Sequence, residues 1–280
     1  GYSAVSMADH LDAQLAPLLA LTAAAGVTSD LKLLSLVLAN DYRHPAILAK
    51  EATTLDQLSG GRLELGVGAG WMKADYDQAG ITYDRPGLRI ERLAETIQIL
   101  KAAFTGETVH FEGRHYTIDG LVTTPAPVRP DGIPLVIAGG GRKILGLAAQ
   151  HADIVGVNPG LAAGVIDERA GATATPSATD QKLAWIEEAA GGRFPGLELQ
   201  TRVHLATISS EGRALAEALA PALGLSADDA LASPHLLVGS EQECIETLHR
   251  WREQWGISYI GFGADAIDEM APVVAALTGQ

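Results

Sequence analysis

Apolar positions along this chain switch between the two-residue period of strands and the 3.6-residue period of helices. From Arg43 to Trp71 the sequence RHPAILAKEATTLDQLSGGRLELGVGAGW predicts a helix, a two-glycine stop, a short strand and a glycine-rich exit. Pro45 suits the first helical turn, where its missing N–H would be unpaired in any case. Leu48, Ala52, Leu55 and Leu58 fall near the helical period and form one apolar face. Gly60-Gly61 supplies the left-handed residue that commonly ends a helix. Leu63, Leu65 and Val67 alternate with Glu64 and Gly66 as a strand would. Gly68, Ala69 and Gly70 then leave no bulky side chain at the strand's carboxyl end, where α/β folds hold ligands. A tight turn explains the same glycines equally well.

The remaining chain repeats this alternation. Ser3–Ala8, Leu31–Ala39, Ile133–Ala138, Asp153–Val157, Leu197–Ile208 and Ile257–Phe262 read as strands; Leu31–Ala39 is almost continuously apolar, as in a buried parallel sheet. Helical sequence covers Leu11–Ala25, a segment from Pro86 with Leu93, Ile97, Leu100 and Phe104 on one stripe, and the stretch from the triglycine to His151. Further helices are predicted over Gln181–Ala190, Gly212–Leu223, Glu241–Trp255 and Ala266–Leu277. A hairpin insertion at about 105–132 interrupts the order, with Glu112-Gly113 at its turn. The Gly/Ala/Thr/Ser/Pro-rich stretch 158–180 reads as a mobile loop over a ligand site.

Seven strands remain outside the hairpin, each followed by helical sequence. That pattern means a doubly wound sheet or a (β/α)8 barrel. Gly1 is not a methionine and the chain enters its first strand at once, which predicts upstream sequence that could supply an eighth unit. One domain spanning 1–280 is the simpler organisation. Glu64 and Arg202 would point into such a barrel, so both are expected in one buried hydrogen-bonded cluster, since an unpaired buried charge is strongly destabilising.

Composition narrows the function. The 280 residues carry a formal charge of −14 without any basic run, which argues against nucleic acid. No apolar run reaches 18 residues, so no membrane span is expected. The single cysteine, Cys244, excludes a disulfide framework and a cysteine-rich metal site. A cytoplasmic location follows as an expectation, and no metal is expected, because HExxH and a plausible third ligand are both missing.

Three strand exits carry the candidate chemistry: Asp9-His10, Gly68-Ala69-Gly70-Trp71 and Gly139-Gly140-Gly141-Arg142. In a barrel all three open on one face. Backbone N–H groups after the triglycine could cradle a phosphate, aided by Arg142 and Lys143. The GxGxxG dinucleotide fingerprint and the Walker lysine motif are both absent. His10 could act as a general base or donate to a flavin-type ring, or be only a structural Asp-His pair. Trp71 could wall the pocket or simply pack. His204 is expected to face the barrel interior.

ADHL at Ala8–Leu11, the Arg43–Trp71 motif, FEGRHYTI at Phe111–Ile118 and IPLVIAGGGRK at Ile133–Lys143 together resemble the bacterial luciferase-like family, most closely its actinobacterial branch using the deazaflavin coenzyme F420. The resemblance implies a (β/α)8 TIM barrel whose first βα unit lies upstream of Gly1. It implies that His10 lies beside the reactive ring carbon, with Trp71 the other candidate catalytic residue, and that Asp9 contacts the cofactor. A non-proline cis peptide is expected near Ser35-Leu36, buttressing the ring. Gly68, Ala69 and Gly70 would border the ring, and Gly139, Gly140, Gly141 and Arg142 would hold the phosphate, with Ala138 beside them. The family's sugar-phosphate dehydrogenases have an acidic residue where this chain has Trp71, which argues against that substrate. The implied activity is hydride transfer between F420 and a small-molecule substrate. An FMN-dependent monooxygenase and a non-catalytic cofactor-binding barrel are the alternatives, and a homodimer is a candidate assembly.

Overall fold

A computed structural model describes residues 1–279 of the chain. They divide into two compact units, the first comprising Ser3–Ala138 with His151–Asp153, the second Gly1–Tyr2, Gly139–Gln150 and the chain from Ile154 onward.

The first unit runs β1 (Ala4–Met7), α1 (Pro17–Val27), β2 (Lys32–Ser35), β3 (Leu38–Ala39), α2 (Pro45–Ser59), β4 (Leu63–Gly68), α3 (Lys73–Ala79), α4 (Pro86–Ala103), hairpin strands β5 (Val109–Glu112) and β6 (Thr117–Leu121), and β7 (Leu135–Gly139). Strands β1, β2, β4 and β7 pair in that order, all parallel, with Val5 opposite Leu33, Leu34 opposite Glu64 and Gly66 opposite Val136. Their carboxyl ends therefore share one edge. The antiparallel β5–β6 pair is the expected insertion.

Local chemistry explains the boundaries. His44 caps α2 by accepting the Ala46 N–H, Pro45 opens it, and Gly60 closes it at φ +69°. Leu48, Ala52 and Leu55 are buried as expected, together with Ala49, Thr53 and Asp56, whereas Leu58 is exposed and Ser59, one position on, is buried in its place. The α4 stripe of Leu93, Ile97, Leu100 and Phe104 is buried as expected. The first helix differs: α1 begins at Pro17 and not at Leu11, because proline disfavours helical backbone in the residue before it, and Ala16 has ψ 121°.

The apolar run Leu31–Ala39 is likewise two strands, parted by a cis Leu36–Val37 peptide one residue beyond the expected position. Two glycines of β4 fit against this bend. A Cβ on Gly66 would overlap the Ser35 carbonyl oxygen, and one on Gly68 would come within 2.6 Å of Val37 Cγ2. Glu64 is buried and ion-paired to Lys32 at 2.6 Å.

The second unit contains α5 (Arg142–His151), β8 (Ile154–Val157), α6 (Glu168–Gly171), α7 (Pro176–Ala190), β9 (Glu198–Arg202), β10 (Leu205–Ile208), α8 (Gly212–Leu219), α9 (Ala227–Ala232), β11 (Leu236–Gly239), α10 (Glu241–Trp255), β12 (Ile257–Gly261) and α11 (Ile267–Leu277). Strand β9 lies between β8 and β12, all parallel. The expected strand Leu197–Ile208 divides because the chain changes partner. Val203 N–H still donates to Gly261, but His204 N–H donates to His235, and β10 then pairs with β11. Strand β11 has no counterpart in the sequence reading, and His204 is exposed, not interior. The stretch 158–180 includes α6 and the start of α7, which Thr175 caps and Pro176 opens. Buried Lys182 donates to the carbonyls of Asn158, at the start of that stretch, and Thr173, just ahead of α7. Counting β1, β2, β4, β7, β8, β9 and β12, the parallel ladders hold the seven expected strands.

Candidate active site

The first unit brings two of the three singled-out exits together. His10 follows β1, the Leu36–Val37 bend follows β2, and Ala69–Trp71 follows β4, all on the shared carboxyl edge. Ala138 lies at the end of β7 in the same ladder. Leu36, Val37, Ala69, Gly70 and Trp71 are half-buried, whereas Leu34, Ser35, Leu65, Gly66 and Val67 beneath them are buried. The edge thus presents a largely apolar surface with one imidazole.

His10 is held on two sides. Its Nδ1 lies 2.7 Å from Asp75 Oδ2, and its ring meets Trp71 edge to face, with centroids 5.6 Å apart and planes at 85°. Asp75 is buried in the first turn of α3, and its Oδ1 accepts the Leu11 N–H at 3.3 Å. A carboxylate against Nδ1 favours the proton on that nitrogen and leaves the lone pair on Nε2.

Asp9 serves a different part of the edge. Its carboxylate takes both guanidinium nitrogens of Arg43, at 2.5 and 3.0 Å, and accepts the Ala39 N–H at 2.9 Å. Asp9 therefore ties β1 to β3 just past the cis peptide. Ser35 is fully buried, and its hydroxyl accepts the Gly66 N–H at 2.8 Å while donating to the Gly66 carbonyl at 3.0 Å. What Ser35 and Leu36 present at the edge is backbone and the Leu36 side chain.

The glycine bend has its own fastening. Arg89 is buried, stacks over Tyr83 at 4.3 Å, and donates to the carbonyls of Gly70, Ala69 and Asp84. Tyr83 donates to the Trp71 carbonyl at 2.8 Å. Tyr76 hydroxyl donates to Asp41 at 3.1 Å, and a Cβ on Gly70 would overlap that hydroxyl. Burial, then the Asp41 carboxylate, push the Tyr76 phenol above its ordinary value, so it stays protonated. Burial does the same to Tyr42.

Gly139, Gly140, Gly141 and Arg142 belong to the second unit. Gly140 backs onto the Pro159–Gly160 backbone, whereas a Cβ on Gly141 would meet nothing within 4 Å. Gly141 and Arg142 are exposed at the start of α5, and the Arg142 guanidinium pairs with Glu188 at 2.8 Å. Among the described residues no group of three or more His, Cys, Asp or Glu is arranged to hold a metal, and no helix is long and apolar enough to cross a membrane.

Asp75, Arg43 and Arg89 escaped the sequence reading. The available signal was an acidic residue four positions after Trp71, placed where a short helix would begin.

Residues 1–174 match the family described as luciferase-like monooxygenase. An uncharacterised protein of Mycobacterium tuberculosis is 38% identical over 131 residues, covering 46% of this chain and 44% of that one. The chain thus spans less than half the length of the curated relatives it matches. Among solved structures, an F420-dependent secondary alcohol dehydrogenase in complex with an F420-acetone adduct superposes with a TM-score of 0.78 at 20% identity, covering 99% of this chain and 91% of that one. The monooxygenase RslO1 from Streptomyces bottropensis gives a TM-score of 0.75 at 20% identity, covering 98% and 86%. These likenesses establish a shared fold.

Proposed function

As this chain belongs to the luciferase-like monooxygenase family, we propose that it is an oxidoreductase moving a hydride between coenzyme F420 and a small organic substrate. The observation that carries this reading is the His10–Asp75 pair, set against Trp71 on an otherwise apolar strand edge. A flat, apolar deazaflavin ring suits that surface, because Leu36, Val37, Ala69 and Gly70 offer aliphatic and backbone contacts and no competing charge. Within the second unit, Gly139 to Gly141 and the exposed first N–H groups of α5 are a backbone segment of the kind that binds phosphate. When bound, the deazaflavin supplies the hydride acceptor or donor.

The protein's own residues supply the rest. His10 Nε2 takes the proton of a substrate hydroxyl in the oxidising direction and returns it in the reducing one. Trp71 shields one side of the imidazole and limits water there. Arg89 and Tyr83 keep the Ala69–Trp71 bend in place beside it. Asp9, through Arg43 and Ala39, keeps the Leu36–Val37 bend against β4.

Titration of the purified protein with F420 and with FMN, followed by fluorescence, tests the assignment. Saturable F420 binding without FMN binding supports it. FMN binding without F420 binding would overturn it in favour of a monooxygenase, and binding of neither would favour a non-catalytic barrel. His10→Ala should lower turnover by roughly 10²–10⁴ with cofactor affinity retained. Unchanged turnover would remove His10 from the chemistry.

A further inference from the structure

We infer that Asp75 is the positioning residue of this site: it fixes His10 in the Nδ1–H tautomer and so keeps the Nε2 lone pair available for proton transfer. The catalytic half of this inference rests on the hydride-transfer reading; the tautomer itself does not.

The molecule offers a comparison. His10, His110 and His115 each approach a carboxylate. His110 meets Asp119 at 2.9 Å, but both side chains are largely exposed, at 66% and 90%. His115 Nε2 stands 4.0 Å from Glu91, beyond hydrogen-bond range. Of these three, only His10 meets a buried carboxylate, Asp75 being 2% exposed. In that setting the ion has lost most of its water, and each hydrogen bond it accepts counts for more.

Both Asp75 oxygens are committed. Oδ2 faces His10 Nδ1 and Oδ1 faces the Leu11 N–H, so the carboxylate plane is set by the chain it holds. A carboxylate has no hydrogen to give, so Nδ1 must be the donor. Nε2 then carries the lone pair. In the oxidising direction the substrate O–H bond breaks and its proton bonds to Nε2. When bound, the oxidised deazaflavin would accept the C–H pair as hydride, the O–H pair becoming the carbonyl π bond. The resulting imidazolium sits against Asp75. Reduction runs the same steps backward.

The Leu11 contact also determines what an amide would do. In Asp75→Asn the Leu11 N–H still requires an oxygen, which places the amide nitrogen toward His10. That NH₂ donates to Nδ1, Nδ1 becomes the acceptor, and the ring proton moves to Nε2. The lone pair is then turned away from substrate while shape and volume stay nearly constant.

The test is a long-range ¹H–¹⁵N spectrum of the full chain carrying ¹⁵N-histidine, recorded well above the ordinary imidazole pKa, with His10→Gln identifying the signal. The wild type should show Nδ1–H at His10 and Asp75→Asn should show Nε2–H. A wild-type Nε2–H ring, or a tautomer unchanged in Asp75→Asn, would overturn the proposal. If Asp75→Asn does not fold, the wild-type spectrum alone still decides. In turnover, Asp75→Asn should lose on the order of 10²–10⁴ in kcat, with KM within about twofold and partial recovery in Asp75→Glu. A rise in KM at unchanged kcat would refute the positioning role. A flipped tautomer in a protein that binds no F420 would leave the geometry standing and sink the hydride-transfer reading instead.

Discussion

Replacing Arg43 with Met should destabilise the protein far more than loss of a surface ion pair. Asp9 is 7% exposed and Arg43 retains 22% of its side-chain surface, so the pair is mostly but not wholly removed from water. Its geometry is bidentate, with nitrogen–oxygen distances of 2.5 and 3.0 Å. In Arg43→Met the carboxylate keeps only the Ala39 N–H. Breaking a well-buried pair from one side costs about 3–5 kcal/mol. Residual solvent access at Arg43 places this one near the lower end, about 3 kcal/mol, against ~0–1 for an exposed pair. For a chain of this size Tm should fall by about 6–12 °C. Asp9→Asn/Arg43→Met leaves no stranded charge and should recover part of the loss, giving a coupling of about 1–3 kcal/mol in a double-mutant cycle. Urea unfolding of the four proteins, followed by circular dichroism, measures both quantities. A loss below about 1 kcal/mol with no coupling would show that water solvates Asp9 freely, and the argument for a dry clamp on β3 would fail.

Gly66→Ala should abolish soluble expression or cost more than about 3 kcal/mol, because its methyl would overlap the fixed Ser35 carbonyl, whereas Gly141→Ala, with open space around it, should stay within about 0.5 kcal/mol; comparing their thermal unfolding separates glycines required by packing from those that are not. Burial lowers the Lys182 ammonium to about 8, so between that value and its ordinary 10.5 the unfolded chain binds more protons, and stability from this group rises with pH. The stability difference between wild type and Lys182→Met, measured by urea unfolding at neutral pH and near pH 10, should therefore move in favour of wild type at the higher pH; a constant difference would refute the assignment. Burial raises the Cys244 thiol to about 11, and its side chain is fully enclosed, so a disulfide reagent should label it only as fast as the chain opens; rapid labelling of native protein would contradict the packing around α10.

The sequence carried the repeating scaffold more faithfully than the site, for a physical reason. Period and punctuation determine elements locally, so α2 with Pro45 and Gly60, the α4 stripe and α10 between Ser240 and Gly256 were readable from neighbouring residues alone. Expectation and structure differ where a distant partner decides. A run of apolar residues does not reveal that Leu31–Ala39 is interrupted at a cis peptide, or that the chain after Arg202 exchanges β12 for β11. The same holds at the site. His10 was visible as chemistry at a strand exit, but its partner Asp75 lies 65 residues away. Gly68 at the exit of β4 is expected to leave room for a ligand, yet Gly68, like Gly66 within the strand, makes room for the chain's own Ser35–Val37 bend.

Asp9 and His10 are adjacent, and the two side chains engage different elements: Asp9 reaches Arg43 and the backbone of β3, His10 reaches Asp75 on α3. One residue fixes the bend following β2, and the next fixes the imidazole near the bend following β4. Because peptide geometry sets the distance between neighbours, a shift at either anchor is transmitted to the other. The Asp9–Arg43 pair should therefore affect His10 without touching it. Loss of order at Arg43 should broaden or move the His10 ring signals, whereas loss of Asp75 should change the tautomer and leave the β3 clamp intact.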